Sequence, residues 1–201
     1  MNTEKEKFSF FLAPAMQVKP MAHITVEKAY EHITLNVDAM TATQKLREIH
    51  DPKEHRAFKA RNFAFCTFSG TFSYRSRDGL LKHSQLLCLD FDHLGSLYRL
   101  ESLRQRLTAD PKVATALCFI SPSGDGLKWV VRIDTLQSGF THEQWFDALS
   151  RYVMQKYDVE ADAACRDVCR SCFLPHDSTC YINRSVYSQP IIGRRGTLLE
   201  F

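Results

Sequence analysis

From about residue 84 onward the apolar period switches repeatedly between two and 3.6 residues, and the order of those switches restricts the chain to few folds. Residues 86–91, LLCLDF, form an apolar run of strand length, as a strand covered on both faces does. Leu97, Leu100, Leu103 and Leu107 then recur at helical spacing. Asp110-Pro111 ends that helix, because proline lacks an amide donor and restricts its predecessor. Residues 114–120, ATALCFI, read as a second strand, and SPSGDG at 121–126 as a tight turn. Residues 127–133 alternate strictly: Leu127, Trp129, Val131 and Ile133 face one way, Lys128, Val130 and Arg132 the other. Trp145, Leu149, Tyr152 and Val153, with Phe146 alongside, mark a second amphipathic helix, and residues 170–174 a fourth strand.

Strand, helix, strand, strand, helix, strand is the split βαβ order. The expected fold class is therefore α+β (α/β), an RRM-like split βαβ sheet, β-α-β-β-α-β, behind a leading α/β unit. Its helices are expected to cover one sheet face and leave the other open, with the last strand beside the first. Residues 1–82 read as the leading unit, with helices at 22–33 and 39–49 and strands at 63–68 and 71–74 around Gly70. Residues 83–190 then form the RRM-like unit and 191–201 a tail, the units together making one compact domain. Such a fold hosts many activities, so function has to be read from side chains.

The bulk numbers exclude little. Hydrophobic residues are 44% and charged residues 24% of the chain, a globular balance. No apolar run reaches the ~18 residues of a membrane helix, and the start has no secretory pattern, so a cytoplasmic protein without a membrane partner is expected. Seven cysteines, an odd number set among apolar runs, suggest reduced buried thiols. The net charge of +3 is small, but Arg56, Lys59, Arg61, Arg75, Arg77 and Lys82 crowd one stretch. Such a cluster suits a phosphate backbone, or is solvated loop charge.

Three pieces carry candidate chemistry. Asp90 and Asp92 end the first strand, and a period of two puts both carboxylates on one face. Adjacent carboxylates repel, and a bound divalent cation removes the conflict. With a third acid they suit two ions and in-line phosphoryl chemistry; the plain alternative is a solvated strand end. Second, in SPSGDGLK, Gly124 and Gly126 let amides approach a phosphate, Ser121 and Ser123 donate hydrogen bonds, and Lys128 alternates onto the face of Asp90 and Asp92. An ordinary hairpin turn reads the same way. Third, Asp162 and Asp167 precede the last strand and Arg170 opens it, so either acid can complete a metal cluster while Arg170 binds phosphate.

These pieces resemble the archaeo-eukaryotic primase superfamily. More closely, TFSGTFSYR (67–75), LLCLDFDHL (86–94), FISPSGDGLKW (119–129) and DVCRSCFLPHD (167–177) resemble the primase-like N-terminal domain of VirE-type helicase proteins from bacterial mobile elements and prophages. The resemblance implies a primase-polymerase-like fold and a nucleotidyltransferase that makes a primer or DNA from NTPs or dNTPs on single-stranded DNA template. It implies Asp90, Asp92 and Asp162 or Asp167 as catalytic acids, with metal at Asp90, Asp92 and Asp162 and two Mg²⁺ or Mn²⁺ ions. Ser121, Ser123, Gly124, Gly126, Lys128 and Arg170 would hold the nucleotide, and Arg56, Lys59, Arg61, Arg75 and Arg77 the nucleic acid. Many relatives have His where this chain has Lys128, which keeps the charge but loses a titrating group. With no GxxxxGK[ST] loop, a helicase-type ATPase would act in trans. The different-class alternative is a non-catalytic nucleic-acid-binding or helicase-recruiting module. Cys165, Cys169, Cys172 and His176 also have a zinc-like spacing, disfavoured because two of them fall on or beside a strand.

Overall fold

A computed structural model describes residues 6–186. In chain order the elements are β1 (Phe8–Phe11), β2 (Ala22–Ile24), α1 (Val26–Leu35), α2 (Val37–Glu48), α3 (Pro52–Asn62), β3 (Phe65–Thr67), β4 (Gly70–Phe72), β5 (Leu80–His83), β6 (Leu86–Phe91), α4 (Leu97–Thr108), β7 (Thr115–Ile120), β8 (Leu127–Arg132), α5 (His142–Tyr157), β9 (Cys172–Phe173) and β10 (Tyr181–Ile182). Short 3₁₀ turns occupy Arg77–Gly79 and Ala163–Arg166. The expected tail at 191–201 lies outside the described residues.

The chain is mixed α and β, built on small antiparallel sheets. One sheet has the order β2-β1-β3-β9, a second β10-β7-β8-β6, and β4 and β5 form a ribbon. In the second sheet, β6, β8 and β7 stand in the order that the split βαβ reading predicts. Its alternation sorts the side chains as expected. Leu87, Leu89, Phe91, Leu127, Trp129 and Val131 pack against Leu100, Leu103 and Leu107 of α4 and Trp145, Leu149 and Val153 of α5. Helix α5 starts at a capping box: the Thr141 hydroxyl accepts from the Gln144 amide, and the Gln144 side chain accepts from the Thr141 amide.

Two expectations about this sheet fail. The face opposite the helices is not open. Leu86, Leu117, Phe119 and Val130 pack there against Phe8 and Cys66 of the first sheet, Phe68 in the turn after β3, and Ala29 and Ile33 of α1. A face carrying four large apolar side chains cannot be left in water, and the N-terminal elements supply its cover. Nor does the last predicted strand lie beside β6. Residues 172–173 pair with β3 instead, Cys66 opposite Cys172 and Phe65 opposite Phe173. The edge of β6 is met by the 3₁₀ turn, where the Asp162 amide donates to the Asp90 carbonyl at 2.8 Å. That turn satisfies itself, Cys165 amide to Asp162 carbonyl at 2.9 Å, so it has no ladder to offer a strand.

In the leading unit, residues 22–24 are a strand and α1 begins at Val26. Helix α3 falls in the stretch read as basic loop. It starts at Asp51, whose side chain accepts from the Glu54 amide at 2.7 Å, with Pro52 at its first position. It buries no residue, so it lacks the apolar stripe by which helices are read from sequence.

Candidate active site

A cavity of about 170 Å³ lies where the two sheets diverge. From β6 come Cys88 and Asp90, with Asp92 just past its end, and from β8 Lys128. Phe68, Ser69, Cys172 and Phe173 line the side of the first sheet. Lys59 enters from α3, His142 from the start of α5, and Cys165, Asp167, Arg170 and Ser171 from the turn region. Side chains widely separated in the chain thus share one opening.

Asp90 is the buried member of the acidic pair, only 7% exposed. It stands opposite Lys128 in the β6–β8 register, and its Oδ2 forms an ion pair with the Lys128 ammonium. Its Oδ1 is buried with no hydrogen-bond partner. A buried carboxylate oxygen without a donor is costly, which is the condition a bound cation relieves. Asp92 is more exposed, at the strand end. Burial raises its pKa above the ordinary value, the Lys59 ammonium opposes that, and Asp125 and Asp162 add to it. Lys59 is held below its usual range by burial and by Lys128, with Asp92 and Asp125 opposing.

The two candidate third acids differ in placement. Asp162 caps the 3₁₀ turn through the Ala164 amide at 2.9 Å and accepts from Arg170 Nη2 at 2.9 Å. One ligand atom each from Asp90, Asp162 and Cys165 lie within 4.8 Å of one another. Asp167 lines the cavity but is engaged by Arg77 Nε at 3.3 Å and by the Cys169 amide at 3.3 Å. Asp92 lines the same cavity outside that three-ligand group. The zinc-spaced residues do not gather. Cys172 Sγ is 3.8 Å from Cys88 Sγ, Cys169 Sγ contacts Asp167, and neither they nor His176 join Cys165 in a group among the described residues.

The turn between β7 and β8 stands beside the acids without lining the cavity. The Gly124 amide donates to the Ser121 carbonyl at 3.0 Å, and Gly124 has φ +85°. A Cβ on Gly126 would sit 2.5 Å from the Phe91 carbonyl oxygen, so only glycine lets the turn press against the end of β6. Ser121 is buried and Ser123 partly so. Arg47 of α2 holds the turn from behind, donating from Nε to Pro122 O at 3.3 Å and from Nη2 to Ser121 O at 3.4 Å. Sequence reading had no signal for Arg47, a surface-like residue of an unremarkable helix.

The basic stretch splits by role. Arg56 and Arg61 are exposed on α3, and Lys59 turns into the cavity. Arg75 donates to the Ala15 carbonyl at 3.0 Å and lies over the Phe65 ring, and Arg77 is paired with Glu143 and Asp167. Four cavity residues went unforeseen as a group: Cys88, Cys165 and Cys172, read only as buried thiols or zinc ligands, and His142. Burial pushes the Cys165 thiol up to about 12, with Asp162 and Cys172 adding and Lys128 and Arg170 opposing. No helix among the described residues is long and apolar enough to cross a membrane.

A family model described as BT4734-like, N-terminal domain, matches residues 58–182, well over half of the chain. Every residue lining the cavity falls inside that segment. No curated protein and no solved structure matches the chain.

Proposed function

This chain belongs to the BT4734-like N-terminal domain family, and from that membership and the cavity we infer a nucleotidyltransferase of the primase-polymerase kind. The family is associated with primase-like N-terminal domains. The observation that carries the reading is the meeting of Asp90 and Asp92 with Lys59, Lys128 and Arg170 around one cavity, with Asp162 paired to Arg170 and grouped with Asp90, and Asp90 keeping a buried oxygen without a partner. Carboxylates alone would suit a cation and cations alone a phosphate; both together suit a metal-bound polyphosphate.

Asp90, Asp92 and Asp162 would hold the divalent ions, Mg²⁺ or Mn²⁺. When bound, such ions neutralise phosphate charge and lower the pKa of the attacking 3′ hydroxyl. Lys59, Lys128 and Arg170 bind the triphosphate oxygens and stabilise charge that develops on the leaving side. Lys128, now paired with Asp90, would be the cation available to the phosphate if a metal ion took over Asp90. Asp167 orients Arg77 and the Cys169 loop and acts as a positioning residue. The enclosed volume is below the ~300–1,000 Å³ of a site that swallows a whole ligand. It takes the phosphate chain, with base and template outside it on the surface that carries the exposed Arg56 and Arg61. The setting proposed is mobile-element or phage replication, with single-stranded DNA as template and a helicase-type ATPase as partner.

The test is primer synthesis and extension on single-stranded DNA with Mn²⁺ or Mg²⁺ and either NTPs or dNTPs. Template-dependent product is expected from the wild type and none from the Asp90→Ala, Asp92→Ala double variant, whose DNA binding is retained. Equal product from both removes the catalytic assignment. DNA binding without product in the wild type would leave a non-catalytic module, which the Asp90–Lys128 ion pair, made within the chain, would fit.

A further inference from the structure

The ligand group of Asp90, Asp162 and Cys165 at the cavity edge contains a residue that a purely carboxylate site does not need. Cys165 lies three positions after Asp162, in the 3₁₀ turn that Asp162 caps, so one short segment delivers both side chains. The turn is pinned to β6 through the Asp162 amide and the Asp90 carbonyl, which fixes Cys165 against Asp90. The ligand atoms of Asp90, Asp162 and Cys165 lie within 4.8 Å of one another. Asp90 is more than nine-tenths buried and lines the cavity, and its buried Oδ1 has no hydrogen-bond partner. Cys165 also packs with the helix-side core, as a plain buried thiol would, but it lines the cavity at the same time.

We propose that Cys165 is a metal ligand together with Asp90 and Asp162, and that the site selects a transition-metal dication over Mg²⁺. The proposal rests on the metal-binding part of the function inferred above. Tetrahedral bonds of about 2.3 Å to sulfur and about 2.1 Å to oxygen separate ligand atoms by about 3.5 Å. Closing from at most 4.8 Å is a movement of about 1.3 Å or less between any two ligand atoms. A thiolate ligand favours Co²⁺ or Zn²⁺, and Mn²⁺ less strongly, over the hard, oxygen-seeking Mg²⁺. On binding, the S–H bond breaks, a metal–sulfur bond forms and the proton leaves to solvent; nothing is oxidised or reduced. The Lys128 ammonium now at Asp90 Oδ2 turns away as the ion enters.

Titrating the full chain with Co²⁺ under absorption spectroscopy tests this. The expected result is visible d–d bands with a thiolate-to-cobalt charge-transfer band in the near ultraviolet, and release of the thiol proton. Cys165→Ser should keep d–d bands but lose the charge-transfer band, and excess Mg²⁺ should displace its Co²⁺ more readily. Cys88→Ser and Cys172→Ser, changes to the neighbouring thiols, should keep the band, and Asp90→Asn should lose the bound ion. A wild type that binds Co²⁺ through Asp90 without the charge-transfer band overturns the role of Cys165 and leaves the carboxylate site standing. So does a band that persists in Cys165→Ser. A wild type that binds neither Co²⁺, Mn²⁺ nor Mg²⁺ by calorimetry sinks the metal reading itself. Should the Cys165→Ser variant fail to fold, the Cys88→Ser, Cys172→Ser double variant decides: a band kept there supports Cys165, and a band lost there overturns its role.

Discussion

Asp90 and Lys128 face each other across β6 and β8, each about nine-tenths buried, and each is the other's counter-ion. Removing one partner of such a pair strands a charge in the interior and costs about 3–5 kcal/mol. Removing both leaves a neutral pair and costs less than the sum. Lys128→Met is therefore expected to lower stability by about 3 kcal/mol, and Asp90→Asn with Lys128→Met by clearly less than the two single changes together. Denaturant unfolding of the four proteins measures it; simple additivity would mean that the ion pair carries no coupling. This pairing was legible in the sequence, because strict alternation in 127–133 put Lys128 on the face of Asp90. Lys59 and Cys165 were not placed in the cavity by any such rule. Each reaches it from an element whose position depends on contacts distant in the chain.

At the scale of elements, β5 meets the start of α5 through two histidines. His83 Nε2 and His142 Nδ1 are 3.1 Å apart, with Glu143, Asp167 and Arg77 nearby. Burial, then the partner imidazole, holds His83 down to about 3, while Glu143 opposes. Burial holds His142 down to about 4, against the pull of Glu143 and Asp167. Both folded-state values lie below the unfolded value of 6.5, so below that pH the unfolded chain takes up protons that the folded chain refuses. Stability is fully present above 6.5 and falls as the pH drops toward 4, each histidine contributing up to about 1.4 kcal/mol per pH unit. Denaturant midpoints should therefore fall between about pH 6.5 and 5, and His142→Gln should flatten that slope. An unchanged slope in the variant would assign it to other groups. The junction also marks where sequence reading weakened. Helices α4 and α5 and strands β6, β7 and β8 carry long apolar periods and were placed by them. Strand β5, α3 and the two-residue β9 carry no usable period. Their places are decided by a cap at Asp51, by the ribbon with β4 and by the ladder with β3.

For the molecule as a whole, the cavity has walls from both larger sheets, so its geometry depends on their packing. Phe68 is the side chain that most directly joins them. Its ring centroid is 4.8 Å from Phe8 in the first sheet and 6.4 Å from Phe119 in the second, and it also lines the cavity. The unexpected cover over the second sheet explains why one residue can do both. A sheet with a bare face would have offered a groove, whereas two facing sheets leave a pocket only where they separate. Both tryptophans, Trp129 and Trp145, lie in the helix-side core, and Phe68 belongs to the core between the sheets. If the two cores unfold as one unit, a cavity made at Phe68 is felt at the tryptophans. Phe68→Ala should lower stability by about 3–5 kcal/mol and move the tryptophan-fluorescence and far-ultraviolet transitions together. A fluorescence transition that stays put while the far-ultraviolet signal shifts would show that the core between the sheets opens independently. Metal or nucleotide binding would then require the sheets to close first, and ligand would raise the far-ultraviolet midpoint of the variant selectively.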